Sequence, residues 1–64
     1  MAIVRIVDDY RFLRFDQLIV WPSVSEDSMN VYLHGWNDEY PTGFHSNYLR
    51  IPKYAARVEG GEQA

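Results

Sequence analysis

Hydrophobic and polar residues alternate along several short stretches of this 64-residue chain, which is the pattern of β-strands that bury one face. Residues 2–7 and residues 30–34 show the alternation most clearly. Both stretches contain β-branched residues, which favour strands. We therefore predict a strand at each place. The side chains expected to face the core are Ala2, Val4, Ile6, Val31 and Leu33.

A third stretch, residues 17–21, is apolar on both faces of the strand that it would form. This is typical of a central strand, or of a strand covered by a loop. Pro22 should end it, because proline has no amide hydrogen to donate to a sheet. Residues 23–28 are polar and include Glu26 and Asp27, so we predict a hairpin loop there.

The remaining strand-like segments are less regular. Residues 10–15 are rich in strand formers, but two arginines lie three positions apart, which fits either a bulged strand or an irregular arm. A last short strand is predicted from Phe44 onward. The further side chains expected in the core are Phe12, Phe15, Trp21, Phe44, Leu49 and Ile51.

The C-terminal part suggests a different element. Pro52 suits the first position of a helix, the two alanines that follow favour helix, and Gly60 could end it, which predicts a short helical turn. Residues 59–64 are polar and are predicted to form a flexible tail. We therefore expect one all-β domain over residues 1–58, a small barrel of about five short antiparallel strands.

One segment is similar to a known family. Residues 43–49, Gly-Phe-His-Ser-Asn-Tyr-Leu, resemble the Gly-x-Phe-Pro-Ser-Asn-Tyr-Val signature of Src-homology-three domains, and residues 7–10 resemble their Ala-Leu-Tyr-Asp-Tyr opening. The resemblance implies an SH3-like barrel in which Tyr10 and Tyr48 line an aromatic groove with Trp36 as a third wall. Grooves of this kind accept proline-rich ligands in the polyproline II conformation.

The size of the chain limits how it can be stabilised. A domain this short buries a modest share of its surface and usually needs disulfides, a metal, oligomerisation or a dense core. The chain has no cysteine, and His34 and His45 are its only imidazoles, so we expect neither a disulfide nor a metal site. A core packed with aromatic rings is the first remaining route and homodimerisation is the second.

The net charge of the chain is −3 at pH 7, which disfavours sequence-independent binding to nucleic acid. Two alternatives stay open. One is a platform that stacks single-stranded bases, and the other is an acidic surface that imitates nucleic acid. The platform would use Tyr10, Phe12 and Tyr48 beside Arg11, Arg14 and Arg50. The acidic mimic would use Glu26, Asp27, Asp38 and Glu39.

The aromatic residues point instead to a protein interface. Trp36 and Tyr40 flank Asp38 and Glu39 in a turn-rich segment, and large rings with a polar rim are typical anchors of protein contacts. We find no nucleophile and base set and no phosphate-binding glycine loop, so we predict no enzyme activity and no cofactor. The predicted partner-binding residues are Tyr10, Trp36, Asp38, Glu39, Tyr40 and Tyr48.

The same features suggest a role and a compartment. The chain has neither a signal-like N-terminus nor a segment that could span a membrane, which predicts a cytoplasmic protein. Because it begins with methionine and is so short, we expect a free-standing regulator or inhibitor that binds another protein.

Overall fold

A computed structural model of the chain describes residues 1–35 and 48–61. Within these ranges six short strands form two antiparallel sheets of three strands each. One sheet has the order β2-β1-β6 and the other has the order β3-β4-β5. The predicted all-β class is confirmed, and the expected number of about five strands is too low. The strands are β1 (Ala2–Ile6), β2 (Leu18–Trp21), β3 (Ser23–Glu26), β4 (Asn30–His34), β5 (Tyr48–Pro52) and β6 (Ala56–Gly61).

The two sheets share one hydrophobic core. Each strand contributes alternate residues to it, because successive side chains of a strand point to opposite faces. The predicted inward positions of β1, β4 and β5 are all buried, as is Trp21 at the end of β2. The buried residues are Ala2, Val4, Ile6, Leu13, Ile19, Trp21, Val24, Val31, Leu33, Leu49, Ile51, Ala55 and Ala56.

The chain passes from one sheet to the other at Pro22. This residue separates β2 in one sheet from β3 in the other, since its ring removes the amide that would continue the ladder. The Trp21 indole nitrogen donates a hydrogen bond of 2.9 Å to the carbonyl of Gly35. Gly35 has φ +99°, and a Cβ there would lie 2.9 Å from the Pro22 ring. Glycine is therefore required where the chain leaves β4.

The predicted hairpin loop over residues 23–28 is wrong. Ser23–Glu26 is strand β3, paired with β4 so that Ser25 lies opposite Tyr32, and Val24 is fully buried. The serines on either side of Val24 are the outward positions of an amphipathic strand. A polar stretch with one apolar residue resembles a loop until a neighbouring sheet buries that residue.

The predicted C-terminal helical turn is also wrong. Residues 53–55 form a turn in which the amide of Ala55 donates to the carbonyl of Pro52 at 2.9 Å. The next residue, Ala56, begins β6 opposite Ile6. Alanine's helix preference is worth at most about 1 kcal/mol per residue, and burial of both alanines against β1 outweighs it.

Strand β6 runs to Gly61 and pairs with β1 on both sides of Glu59, which has no partner in β1. Residues 59–61, predicted as the start of a tail, therefore lie in the sheet. Glu59 is the extra residue of a β-bulge, because the consecutive residues Ile3 and Val4 pair with Gly60 and Val58. Gly61 has φ +95°, a conformation that suits glycine.

Two phenylalanines predicted to lie in the core are on the surface. Phe12 is 41% exposed and Phe15 is 68% exposed. Both belong to the long connection between β1 and β2, where Leu13 is the buried residue instead. The alternation of residues 10–15 does not identify the core face, because this segment is an arm and not a strand of either sheet.

The turn between β3 and β4 is built on Asp27. One carboxylate oxygen accepts hydrogen bonds from the amides of Met29 (2.8 Å) and Asn30 (2.7 Å), and the other accepts one from the Tyr32 hydroxyl at 2.5 Å. The Tyr32 bond and then the two amide bonds lower the pKa of Asp27, with a smaller contribution from the Lys53 charge.

This arrangement predicts a loss of stability in acid. A carboxylate whose pKa is lower in the folded chain stabilises the fold above its unfolded pKa of about 3.9, and this contribution disappears as the pH falls through the folded pKa. We expect Tyr32→Phe to raise the Asp27 pKa, which NMR titration of the carboxyl carbon will measure. Ser28→Ala is the control, and an Asp27 pKa that is equal in both variants would contradict the assignment.

Candidate functional site

The connection between β1 and β2, residues 7–17, is an ordered arm. Tyr10 and Leu13 exchange two backbone hydrogen bonds of 2.9 Å, which makes a tight turn with Arg11 and Phe12 at its tip. Arg11 has φ +54°, the left-handed conformation that such a turn requires. The position of Tyr10 is thus fixed by its own backbone and by the buried Leu13.

The base of the arm is held by polar contacts. One carboxylate oxygen of Asp9 accepts the Phe15 amide at 2.7 Å. The Arg5 guanidinium donates to the Asp16 carbonyl at 2.9 Å and lies 3.3 Å from its carboxylate. The amide of Asp16 donates to the carbonyl of Ile6 at 2.7 Å. The Asp16 contacts tie the C-terminal end of the arm to β1, and the Asp9 bond joins the two sides of the arm.

A second aromatic residue, Tyr54, reaches the arm from the turn between β5 and β6. The turn is fixed on both sides of Tyr54, since the Lys53 amide donates to the Met29 carbonyl at 2.9 Å and Ala55 is fully buried. The Tyr54 side chain is 62% exposed. Its backbone is therefore held while its ring faces solvent.

Tyr10 and Tyr54 form an edge-to-face pair. Their ring centroids are 6.4 Å apart and their planes meet at 84°, a geometry that aromatic pairs prefer. The Arg11 guanidinium carbon lies 5.9 Å from the centroid of the Tyr10 ring, within the range of a cation–π contact. We call Tyr10, Arg11 and Tyr54 the tyrosine site.

Exposed acidic residues precede the tyrosine site in the arm. Asp8 and Asp9 are both exposed, and the Asp9 amide donates to the Asp8 carboxylate at 2.9 Å. The site therefore combines two rings, one cation and nearby carboxylates. Such a surface is better suited to binding a polypeptide than to catalysis, because tyrosine rings supply a large contact area with a polar tip.

The structure describes only part of the predicted partner-binding set. Trp36, Asp38, Glu39 and Tyr40 lie outside the described residues, as do residues 43–47 of the SH3-like segment. The backbone of Tyr48 lies in β5, opposite His34 in β4. Among the described positions, Tyr10 is the predicted residue whose ring lies in the tyrosine site.

Sequence reasoning missed Tyr54. The segment around it was assigned to a helix because of the two alanines that follow. A usable signal was present: Tyr54 is the one large apolar side chain between Pro52 and the alanines.

The outer face of the β3-β4-β5 sheet carries a separate polar cluster. The hydroxyl of Ser25 lies 2.6 Å from Nε2 of His34, and both side chains are half-buried. The ring of His34 lies 6.5 Å from that of Tyr32, tilted by 33°, and Arg50 is opposite Tyr32 on β5. A serine beside an imidazole is a contact that nucleophilic enzymes use, and it is also an ordinary pair between neighbouring strands.

The residues of the expected base-stacking platform are divided between two places. Tyr10, Arg11, Phe12 and Arg14 lie on the arm, whereas Arg50 is on β5 in the β3-β4-β5 sheet. Among residues 1–35 and 48–61 no cluster of three His, Asp or Glu side chains could hold a metal ion. No helix in these ranges is long and apolar enough to cross a membrane.

Comparison with known proteins adds no relative from which a role could be transferred. The chain matches no protein-family model, no curated protein and no solved structure.

Proposed function

We propose that this chain is a small non-catalytic binding module that recognises a segment of another protein at the tyrosine site. The observation that carries the proposal is the edge-to-face pair of Tyr10 and the exposed Tyr54, with Arg11 beside the Tyr10 ring. Tyrosine and arginine are enriched among the residues that dominate binding energy at protein interfaces.

The ordered backbone on both sides of the site supports this proposal. Tyr10 is fixed by the bridge to Leu13, and Tyr54 lies in a turn that is anchored before it by the Lys53–Met29 bond and after it by the buried Ala55. Groups that are already in place lose less conformational freedom when a partner binds, so more of the contact energy appears as affinity. Asp8 and Asp9 in the same arm favour a partner segment with basic residues.

The proposal also includes the barrel shape, the regulatory role and the compartment that the sequence predicts. We infer an SH3-like barrel shape, which is supported by the short antiparallel strands and by the long arm between β1 and β2. We also infer a regulator or inhibitor in the cytoplasm, which is supported by small size and by the absence of cysteine. The partner expected from the SH3 resemblance is a proline-rich segment.

Selection from a displayed library of short peptides, both random and proline-rich, tests the proposal. We expect peptides whose affinity falls about 30-fold or more on Tyr54→Ala or Tyr10→Ala, because loss of a central aromatic anchor costs about 2 kcal/mol or more. Fluorescence anisotropy will measure each affinity. Backbone NMR shifts on peptide addition should concentrate at Tyr10, Arg11 and Tyr54.

Phe15→Ala is the matched control, since Phe15 is an exposed ring of the same arm outside the tyrosine site. Peptides that bind Tyr54→Ala as tightly as the native chain would overturn the proposal. A labelled single-stranded oligonucleotide at two salt concentrations tests the alternative partner. Salt-sensitive oligonucleotide binding that is lost on Arg11→Ala or Arg50→Ala would assign the chain to nucleic acid instead.

A further inference from the structure

Strand β6 is at one end of the β2-β1-β6 order, and within residues 1–35 and 48–61 it pairs with β1 alone. The amide of Val7 donates to the carbonyl of Ala55 at 2.8 Å. This bond makes Ile6 and Ala56 a pair without mutual hydrogen bonds, because the two kinds of pair alternate in antiparallel sheets. The backbone amides and carbonyls of Ala56 and Val58 therefore face away from β1.

An open groove of about 470 Å³ runs along this edge. Val58 lines this groove and is half-buried, whereas Ala56 is buried. The outward amide and carbonyl of Val58 are therefore where a second strand would pair. A strand paired with β6 on this side would lie about 4.8 Å from it. The lining residues are Val7, Glu26, Lys53, Ala56, Arg57 and Val58.

The charges on β6 alternate in sign around Val58. Arg57 and Glu59 both lie on the outer face of the sheet, with 3.0 Å between the guanidinium and carboxylate atoms. Glu59 also lies 3.4 Å from the Arg5 guanidinium. The Arg57 side chain is more exposed to solvent than that of Glu59. Exposed ion pairs of this kind are weak and easily exchanged for others.

We propose that β6 pairs antiparallel with β6 of a second copy of this chain, about a two-fold axis at Val58. In this register Val58 exchanges two backbone hydrogen bonds with Val58 of the second copy. The Arg57 side chain of each copy then lies beside the bulged Glu59 of the other on the outer face, and the symmetry gives this contact twice. The β2-β1-β6 sheets of the two copies join into one sheet of six strands. This covers the edge of each β6 that faces away from β1.

The charge pattern favours a second copy over a foreign strand. An arginine and a glutamate on either side of a central residue complement each other when the strand is paired with itself antiparallel. Parallel pairing would place like charges opposite each other. Edge strands commonly carry charges that block association with another strand. Here the Arg57 and Glu59 charges do not repel a second β6, because antiparallel pairing brings each next to a charge of opposite sign.

Sedimentation equilibrium over a range of chain concentrations tests the proposal. We expect reversible dimers whose dissociation constant rises about tenfold or more in Arg57→Glu and in Glu59→Arg, because each change places like charges opposite each other twice. Mixing these two variants should restore dimers as heterodimers, since every facing pair is then of opposite sign. The double variant Arg57→Glu with Glu59→Arg should form dimers by itself.

Val58→Pro should also abolish the dimer, because it removes the outward amide without breaking a bond to β1. Arg50→Glu is the control with the same charge change on the other sheet, and Tyr54→Ala should leave the dimer intact whatever the tyrosine site binds. A chain that stays monomeric at high concentration overturns the proposal. Dimers whose dissociation constant is unchanged in both Arg57→Glu and Glu59→Arg would also overturn it. A monomer that binds a peptide through the β6 edge would do the same.

Discussion

Replacing Trp21 by alanine is expected to lower the free energy of unfolding by about 3–5 kcal/mol, the usual cost of removing a large buried ring. Trp21 is 2% exposed, and its indole nitrogen donates to the Gly35 carbonyl at the corner where the chain passes between sheets. At roughly 0.05–0.15 kcal/mol per residue a chain of 64 residues has a total stability of about 3–10 kcal/mol, so this variant should lose a large share of it. Urea denaturation followed by circular dichroism will measure the change.

Two further variants separate the causes of that loss. Trp21→Phe keeps a ring but removes the indole donor, and it should fall between the native chain and the alanine variant. Leu18→Ala is the control, because Leu18 lies on the half-exposed face of the same strand and should cost about 1 kcal/mol or less. If Trp21→Ala were no more costly than Leu18→Ala, Trp21 would not be part of the core.

Leu13→Ala is expected to cost about 2–5 kcal/mol and to disturb the tyrosine site as well. Leu13 is 1% exposed and is the buried side chain of the arm, and its backbone holds Tyr10 through two hydrogen bonds. When the anchor is lost, the arm should open locally more often. Urea denaturation will measure the stability, and amide hydrogen exchange at Tyr10 will report the opening.

The control for this variant is the adjacent Phe12→Ala. Phe12 is partly exposed at the tip of the arm, so its loss should cost less than that of Leu13 and should change exchange at Tyr10 little. The opposite order of costs would show that the arm packs with Phe12 inward, as the sequence pattern alone suggests.

Regular alternation was the reliable guide to the fold. It identified the buried positions of β1 and β4 because burial of one face requires period two in the sequence. It failed where one residue decided the element. In β3, Val24 is the buried residue of an otherwise polar strand. In β6, Ala56 pairs with Ile6 of β1 although alanine favours helix.

The candidate site was only partly predictable. Tyr10 was among the predicted contact residues, but its partner Tyr54 is 44 positions later in the chain, and nothing local links them. The same is true of Ser25 and His34, whose contact depends on the register of β3 and β4. Proximity between distant residues is set by strand pairing, which single-residue patterns do not encode.

The core of the described residues is aliphatic with Trp21 as its one ring, and is not packed with aromatic rings as the sequence predicts. The sequence by itself determined the all-β class, the inward aliphatic positions of the regular strands and the expectation that some rings face solvent, because composition and alternation measure how much apolar surface a short chain can bury. The tertiary structure decided which rings those are. Phe12 and Phe15 are exposed on an arm that Leu13 anchors, while Trp21 is buried between the sheets. A ring that is large and apolar satisfies either position, so only the packing of the whole chain assigns it.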